Sequence, residues 1–240
     1  MLISKRQIKF FTITLFLMLS FTLNGWSLIT YEFKDTWKDW PGTEYITSIG
    51  DELGTPKLDK IKVVLDDTQS FLQQIQIVLH DSKTVQNFNS LFINNSYTNP
   101  NNWDQWNYFV HDGGASNSSS STTSGTVPTD GLYSVNDQYK YTTVAATRNR
   151  FKNPNGIDNG SLSLLDSSFG PSIIDNGWTI NYDFSNLINP INIDGGFFVA
   201  YAPWCANDVM GGGATTVPEP ATMVIFGLSM LGIIGLRKKA

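Results

Sequence analysis

The chain has 240 residues, 41% hydrophobic and 13% aromatic, with 15% charged and a formal net charge of −5. Six of its 16 basic residues (Lys5, Arg6, Lys9, Arg237, Lys238 and Lys239) stand at the extreme ends, leaving ten basic against 21 acidic residues between them. An acidic body argues against binding to nucleic acid or to anionic lipid by charge, which needs clustered Lys and Arg, and a single cysteine, Cys205, rules out an intrachain disulfide.

The N-terminus reads "MLISKRQIKFFTITLFLMLSFTLNGWS". Lys5, Arg6 and Lys9 form a basic region, Phe10 to Leu23 an apolar one, and Gly25 and Ser27 are small residues at positions −3 and −1 of a cleavage site. This is the layout of a secretory signal peptide over residues 1–27, removed by signal peptidase after Ser27. An N-terminal membrane anchor is the alternative.

From residue 28 to 210 the pattern is that of strands. "LITYEF" opens it. In "LDKIKVVLDD", Ile61, Val63 and Leu65 share one face; in "FLQQIQIVLHD", Ile75, Ile77 and Leu79 do. The short polar link from Asp66 to Ser70 joins these two into an antiparallel hairpin. "WNYFV" and "GLYSVNDQYKYTTVAAT" add strands on either side of "GGASNSSSSTTSGT", a low-complexity loop over 113–126. In "GWTINYDFS", Trp178, Ile180, Tyr182 and Phe184 alternate with polar residues, and "FFVAYA", apolar on both faces, reads as a strand covered from both sides. "NNSYTNPNN", "NPNGIDNG", "SSFGPS" and "NPINIDGG" read as turns. No long segment has a helical period. The expectation is all-β: a single antiparallel β-sandwich, jelly-roll-like, with a closed barrel as alternative.

Residues that could carry chemistry are few. His80 and His111 are the only histidines; they form no cluster of the zinc type, so no metal or other cofactor is expected. His80 reads as a surface residue, and Asp112, beside His111, as a turn-former. Cys205 in "PWCAND" reads as a small buried hydrophobe. "DDTQS" (66–70) and "NPNGIDNG" (153–160) offer oxygen atoms that suit Ca²⁺, although neither follows a known calcium-loop pattern. In "NPNNWDQWNYF", Trp103, Trp106 and Tyr108 stand among Asn and Asp, a composition that could stack on sugars; core packing is the competing reading, with Trp103 the better candidate for exposure. No nucleophile elbow or phosphate loop is present, and a carboxylate pair of glycosidase type cannot be recognised without spatial separation.

The end of the chain is its most specific part. "GGGATTV" (211–217) reads as a flexible spacer. Pro218, Glu219 and Pro220 follow, then an apolar run over 221–236, then Arg237, Lys238 and Lys239. The run is shorter than the roughly 20 residues that cross a bilayer core of about 30 Å as a helix, so on its own it is a marginal hydrophobic helix. The three parts in this order, over 218–240, resemble the PEP-CTERM sorting signal of Gram-negative bacteria that make exopolysaccharide. "FFVAYAPWCANDVMGG" is also similar to the last strand and corner of many PEP-CTERM ectodomains. The resemblance implies processing by exosortase, a membrane transpeptidase that removes the tail. It implies transient anchoring and then a place at the cell surface or in the extracellular matrix, in association with exopolysaccharide. The expected role is non-catalytic. A lectin-like carbohydrate-binding module and an envelope-polymer hydrolase are the alternatives.

Overall fold

The computed structural model describes residues 28–35, 40, 57–80, 90–96, 103–113, 122–144, 154–193, 195–203 and 209–216. The strands along them are β1 (Ile29–Lys34), β2 (Leu58–Leu65), β3 (Leu72–Leu79), β4 (Ser90–Asn94), β5 (Tyr108–His111), β6 (Thr122–Ser124) and β7 (Gly131–Val135). Then come β8 (Tyr141–Val144), β9 (Pro154–Ile157), β10 (Leu162–Asp166), β11 (Ser172–Ile174), β12 (Thr179–Asp183), β13 (Gly196–Ala202) and β14 (Met210–Thr215). Helix among the described residues is limited to two 3₁₀ turns, Asn159–Ser161 and Asp175–Gly177.

The β2–β3 hairpin shows how local chemistry builds the fold. Ile61, Val63, Leu65, Ile75, Ile77 and Leu79 are all buried, as the alternation requires. The turn closes because the Asp66 carboxylate accepts the backbone N–H of Ser70 and of Phe71, each at 2.8 Å, while Gln69 takes a φ of 57°. The Tyr31 hydroxyl donates to Gln69 Oε1 at 2.6 Å, which fastens β1 to the same turn.

Three antiparallel sheets result. The first has the order β1-β2-β3-β12-β11, the second β10-β7-β5-β4-β13-β14, and the third β6-β8-β9. Ile61, Val63, Ile75, Ile77 and Ile180 of the first sheet share one apolar cluster with Leu91, Ile93, Val110, Leu132, Phe197 and Val199 of the second. The alternate residues of the second sheet, among them Phe92, Phe109, Tyr133, Phe198 and Ala200, form a separate cluster with Ile157 of β9 and with Trp40, Trp103 and Trp106. The six-stranded sheet is therefore covered on both faces, which is why every residue of β4 and β13 is buried. The third sheet is pinned to it by hydrogen bonds from Ser90 Oγ to the Asn155 carbonyl and from Trp106 Nε1 to the Tyr141 hydroxyl.

The all-β class is as the sequence indicates. The single jelly-roll-like sandwich is too simple, because a third sheet lies on the outer face of the second. Two stretches read as loop are partly strand. Thr122–Ser124, inside the low-complexity segment, pairs with β8, and Pro154–Ile157, inside "NPNGIDNG", is buried as β9. The spacer reading of 211–217 is corrected as well: residues 210–215 are β14, the edge strand of the second sheet.

Candidate functional site

The C-terminal exit is built from β14, whose sequence is Met-Gly-Gly-Gly-Ala-Thr. Consecutive glycines weaken a strand, since they offer no side chains to pack. Here their bareness is the fit. A Cβ on Gly211 would lie 2.6 Å from Trp103 Cη2, and one on Gly212 would lie 2.6 Å from Phe33 Cβ. One on Gly213 would meet the Phe197 carbonyl oxygen and Phe198. The glycines form a shallow groove that receives aromatic rings from β1 and from the segment before β5. Register runs unbroken from Tyr201↔Met210 to Gly196↔Thr215. Thr216 is itself buried, and its N–H donates to the Gly195 carbonyl at 3.1 Å. Pro218 stands two residues further along the chain.

Both ends of the body leave from one pole. Ile29, the first residue of β1, pairs with Leu65, and Leu65 pairs with Leu72 across the hairpin turn. Phe71 bridges Asn192, four residues before Gly196, which pairs with the last residue of β14. The Tyr31 and Phe197 rings meet edge-to-face at 5.2 Å, and Phe33 lies across Gly212, so β1 packs against β13 and β14 where the two large sheets meet. The segments that read from sequence as membrane-directed thus depart from adjacent points.

Pro218, Glu219, Pro220, Arg237, Lys238 and Lys239 lie outside the described residues, as do residues 1–27, the apolar run 221–236 and Cys205. Among the described residues no helix is long and apolar enough to cross a membrane.

Trp103 and Trp106, considered above for sugar stacking, are only 3% and 4% exposed. Trp40 stands 4.9 Å from both Trp103 and Phe92, and the Tyr141 hydroxyl donates to the Trp103 carbonyl at 2.7 Å. Trp103 is therefore not the exposed residue that its position before the strand suggests. The outer face of the second sheet is aromatic, and the two tryptophans supply the area that covers it. Tyr108 is half-buried against the central core. Among the described residues the indole that reaches solvent is Trp178, at the head of β12. The candidate calcium loops are spoken for: Asp66 closes its own turn, and Asp158 accepts the Thr126 backbone N–H. No group of three metal-ligating side chains occurs among the described residues.

The structure does bring together one polar cluster that the sequence separates. His111, at the end of β5, lies with Nε2 4.0 Å from Asp130 Oδ1, and the same oxygen accepts the Gly113 backbone N–H at 2.8 Å. Asp130 thereby ties the two ends of the 113–130 excursion. Burial lowers the His111 pKa to about 4 although the Asp130 charge works to raise it, so the imidazole is neutral at pH 7. Burial, and then the Asp130 charge, raise Asp112 to about 6. His80, by contrast, is exposed after β3, as its place on the polar face requires. Asp130, 17 residues beyond Gly113, carried no local signal of this role.

Residues 216–239 match the family model of the PEP-CTERM protein-sorting motif. No curated protein and no solved structure matches the chain. The match begins at Thr216, the residue at which the last strand is tied off. The segment that leaves the sheet edge therefore carries a PEP-CTERM protein-sorting motif, as a substrate of exosortase would.

Proposed function

We propose that this is a secreted, exosortase-processed surface or matrix protein whose β-rich body is the delivered, non-catalytic part. The observation that carries the proposal is the sorting motif at 216–239, placed directly after the final strand of a folded body. In this reading signal peptidase removes residues 1–27. The tail over 218–240 holds the chain in the inner membrane through its apolar run, and exosortase removes it. The body then acts as one domain, an antiparallel sandwich of the two large sheets with the third sheet as its cover, among the exopolysaccharide of the producing cell. The test is Pro218→Ala with Glu219→Ala. The expected outcome is a cell-associated protein whose intact mass includes the tail; unchanged mass and unchanged surface delivery would sink the reading.

A hydrolase reading has one observation in its favour, the raised pKa of Asp112 beside the Asp130 carboxylate. A carboxyl group raised by burial and by a second carboxylate is the kind of group a glycosidase uses as its general acid. Polysaccharide cleavage that Asp112→Asn and Asp130→Asn each abolish would replace the non-catalytic reading.

A further inference from the structure

We propose that the pole from which both chain ends emerge is a lipid-facing surface that touches the membrane only while the tail holds it there. Leu28, Phe71 and Ile188 are the contacting side chains. The proposal rests on the sorting reading of the tail and specifies what the body does before the tail is cut.

Chain length makes the argument. Thr216 is buried and hydrogen-bonded in the fold. The apolar run begins at Ala221, five Cα steps away. Fully extended, those steps span at most about 17 Å. The headgroup layer takes up about 5 to 8 Å of that distance. The exit pole is thus confined to within about 10 Å of the headgroup surface, less than the width of one helix.

That pole is where exposed apolar side chains gather. Of seven large apolar residues exposed among those described, Leu28 (55%), Phe71 (39%) and Ile188 (97%) belong to it. Leu28 precedes β1, Phe71 follows the hairpin turn, and Ile188 tips the loop that returns from β12 through Asn192 to β13. Leu164, Leu165 and Ile173 lie instead on the edge strands β10 and β11, and Trp178 lies at the opposite pole. A fully exposed isoleucine on a neutral loop gains nothing in water but finds an apolar partner at the acyl boundary.

Charge decides the second half of the proposal. The hairpin turn holds exposed Asp67 and the end of β12 exposed Asp183, while Lys34, Lys57 and Lys60 stand toward the far pole. Anionic lipid does not attract such a surface. Contact therefore depends on the high local concentration that the tether imposes, and removal of the tail lets the body leave.

The test uses the full chain with Cys205→Ser, inserted in vesicles of phosphatidylethanolamine and phosphatidylglycerol. An environment-sensitive dye is placed at Ile188→Cys or, as the far-pole control, at His80→Cys. The expected result is blue-shifted emission and quenching by lipid-borne spin labels at position 188 alone. Both signals should disappear when the chain is ended at Thr216. Equal, water-like emission at both positions in the full chain overturns the proposal. Persistent quenching at 188 after the tail is gone overturns its dependence on the tether. Exosortase treatment of the same vesicles separates the two readings. A precursor whose position 188 is water-exposed before treatment and which is then cleaved keeps the sorting reading and rejects the contact; one whose position 188 is lipid-exposed but which stays uncleaved does the reverse.

Discussion

Gly212→Ala distinguishes a paired strand from a flexible spacer. In β14 the added methyl would lie 2.6 Å from both Cβ and Cδ1 of Phe33, whereas ordinary contact begins near 3.4 Å. A gap of nearly 1 Å must open. Rotating the ring cannot relieve it, because Phe33 Cβ is fixed by the β1 backbone, which is paired residue by residue to β2. Overpacking of this kind costs roughly 1–3 kcal/mol. Against it stands a gain of roughly 0.4–1 kcal/mol from the reduced freedom of the unfolded chain. The expected net loss is about 1–2 kcal/mol. Equilibrium unfolding in urea, followed by the fluorescence of the buried Trp40, Trp103 and Trp106, measures it. Phe33→Ala costs stability of its own, since the ring packs edge-to-face on Phe197 at 6.0 Å. Adding Gly212→Ala in that background should then cost nothing or stabilise slightly, and the double-mutant cycle isolates the clash. A neutral or stabilising Gly212→Ala in the parent chain would refute the reasoning, because that is how an unpaired spacer behaves.

His111 has a folded pKa of about 4 against an ordinary 6.5. The folded state binds fewer protons between those values, so its contribution is complete above about 6.5 and lost as pH falls through about 4, a loss of about 3 kcal/mol. His111→Gln should flatten that acid limb in unfolding curves taken from pH 7 to 4; an unchanged limb rejects the assignment. Asp112 acts in the opposite sense. Raised from 3.8 to about 6, it favours the fold at low pH and loses that contribution as pH rises through 6. Asp112→Asn should therefore raise stability at pH 7 relative to the parent and leave it little changed at pH 4. The Tyr182 hydroxyl is fully buried without a hydrogen bond to a described residue. Tyr182→Phe should hold or raise the urea midpoint, by up to about 1 kcal/mol in stability; a loss of 2 kcal/mol or more would reveal a partner.

Much of the fold was legible because strands announce themselves locally. The hairpin of β2 and β3 follows from six alternating apolar residues and one turn-forming aspartate. "FFVAYA" also carried more than it first suggests. A strand apolar on both faces needs two covers, whereas a plain sandwich supplies one, so the third sheet was implicit in it. β4 went unread because Leu91 to Ile93 is a short apolar run between Ser90 and Asn94, too brief to show a period. The tryptophan pair shows the opposite failure. Asn and Asp neighbours made Trp103 resemble a binding residue, and only the aromatic outer face of the second sheet explains its burial.

The sorting address is contiguous. Its prolines, apolar run and basic end act through local stiffness, hydrophobicity and charge, so 24 residues in order suffice to recognise it. The same holds for the signal-peptide pattern and for the alternation that makes the body β-rich. Tertiary structure decided the rest. Three glycines in a row look like slack in one dimension and become a packed strand once Phe33, 179 residues earlier, lies across them. The common pole of the two chain ends and the meeting of His111 with Asp130 are likewise products of register between distant strands. Glycine has no side chain with which to signal its partner in advance; what it contributes is the space that the partner fills.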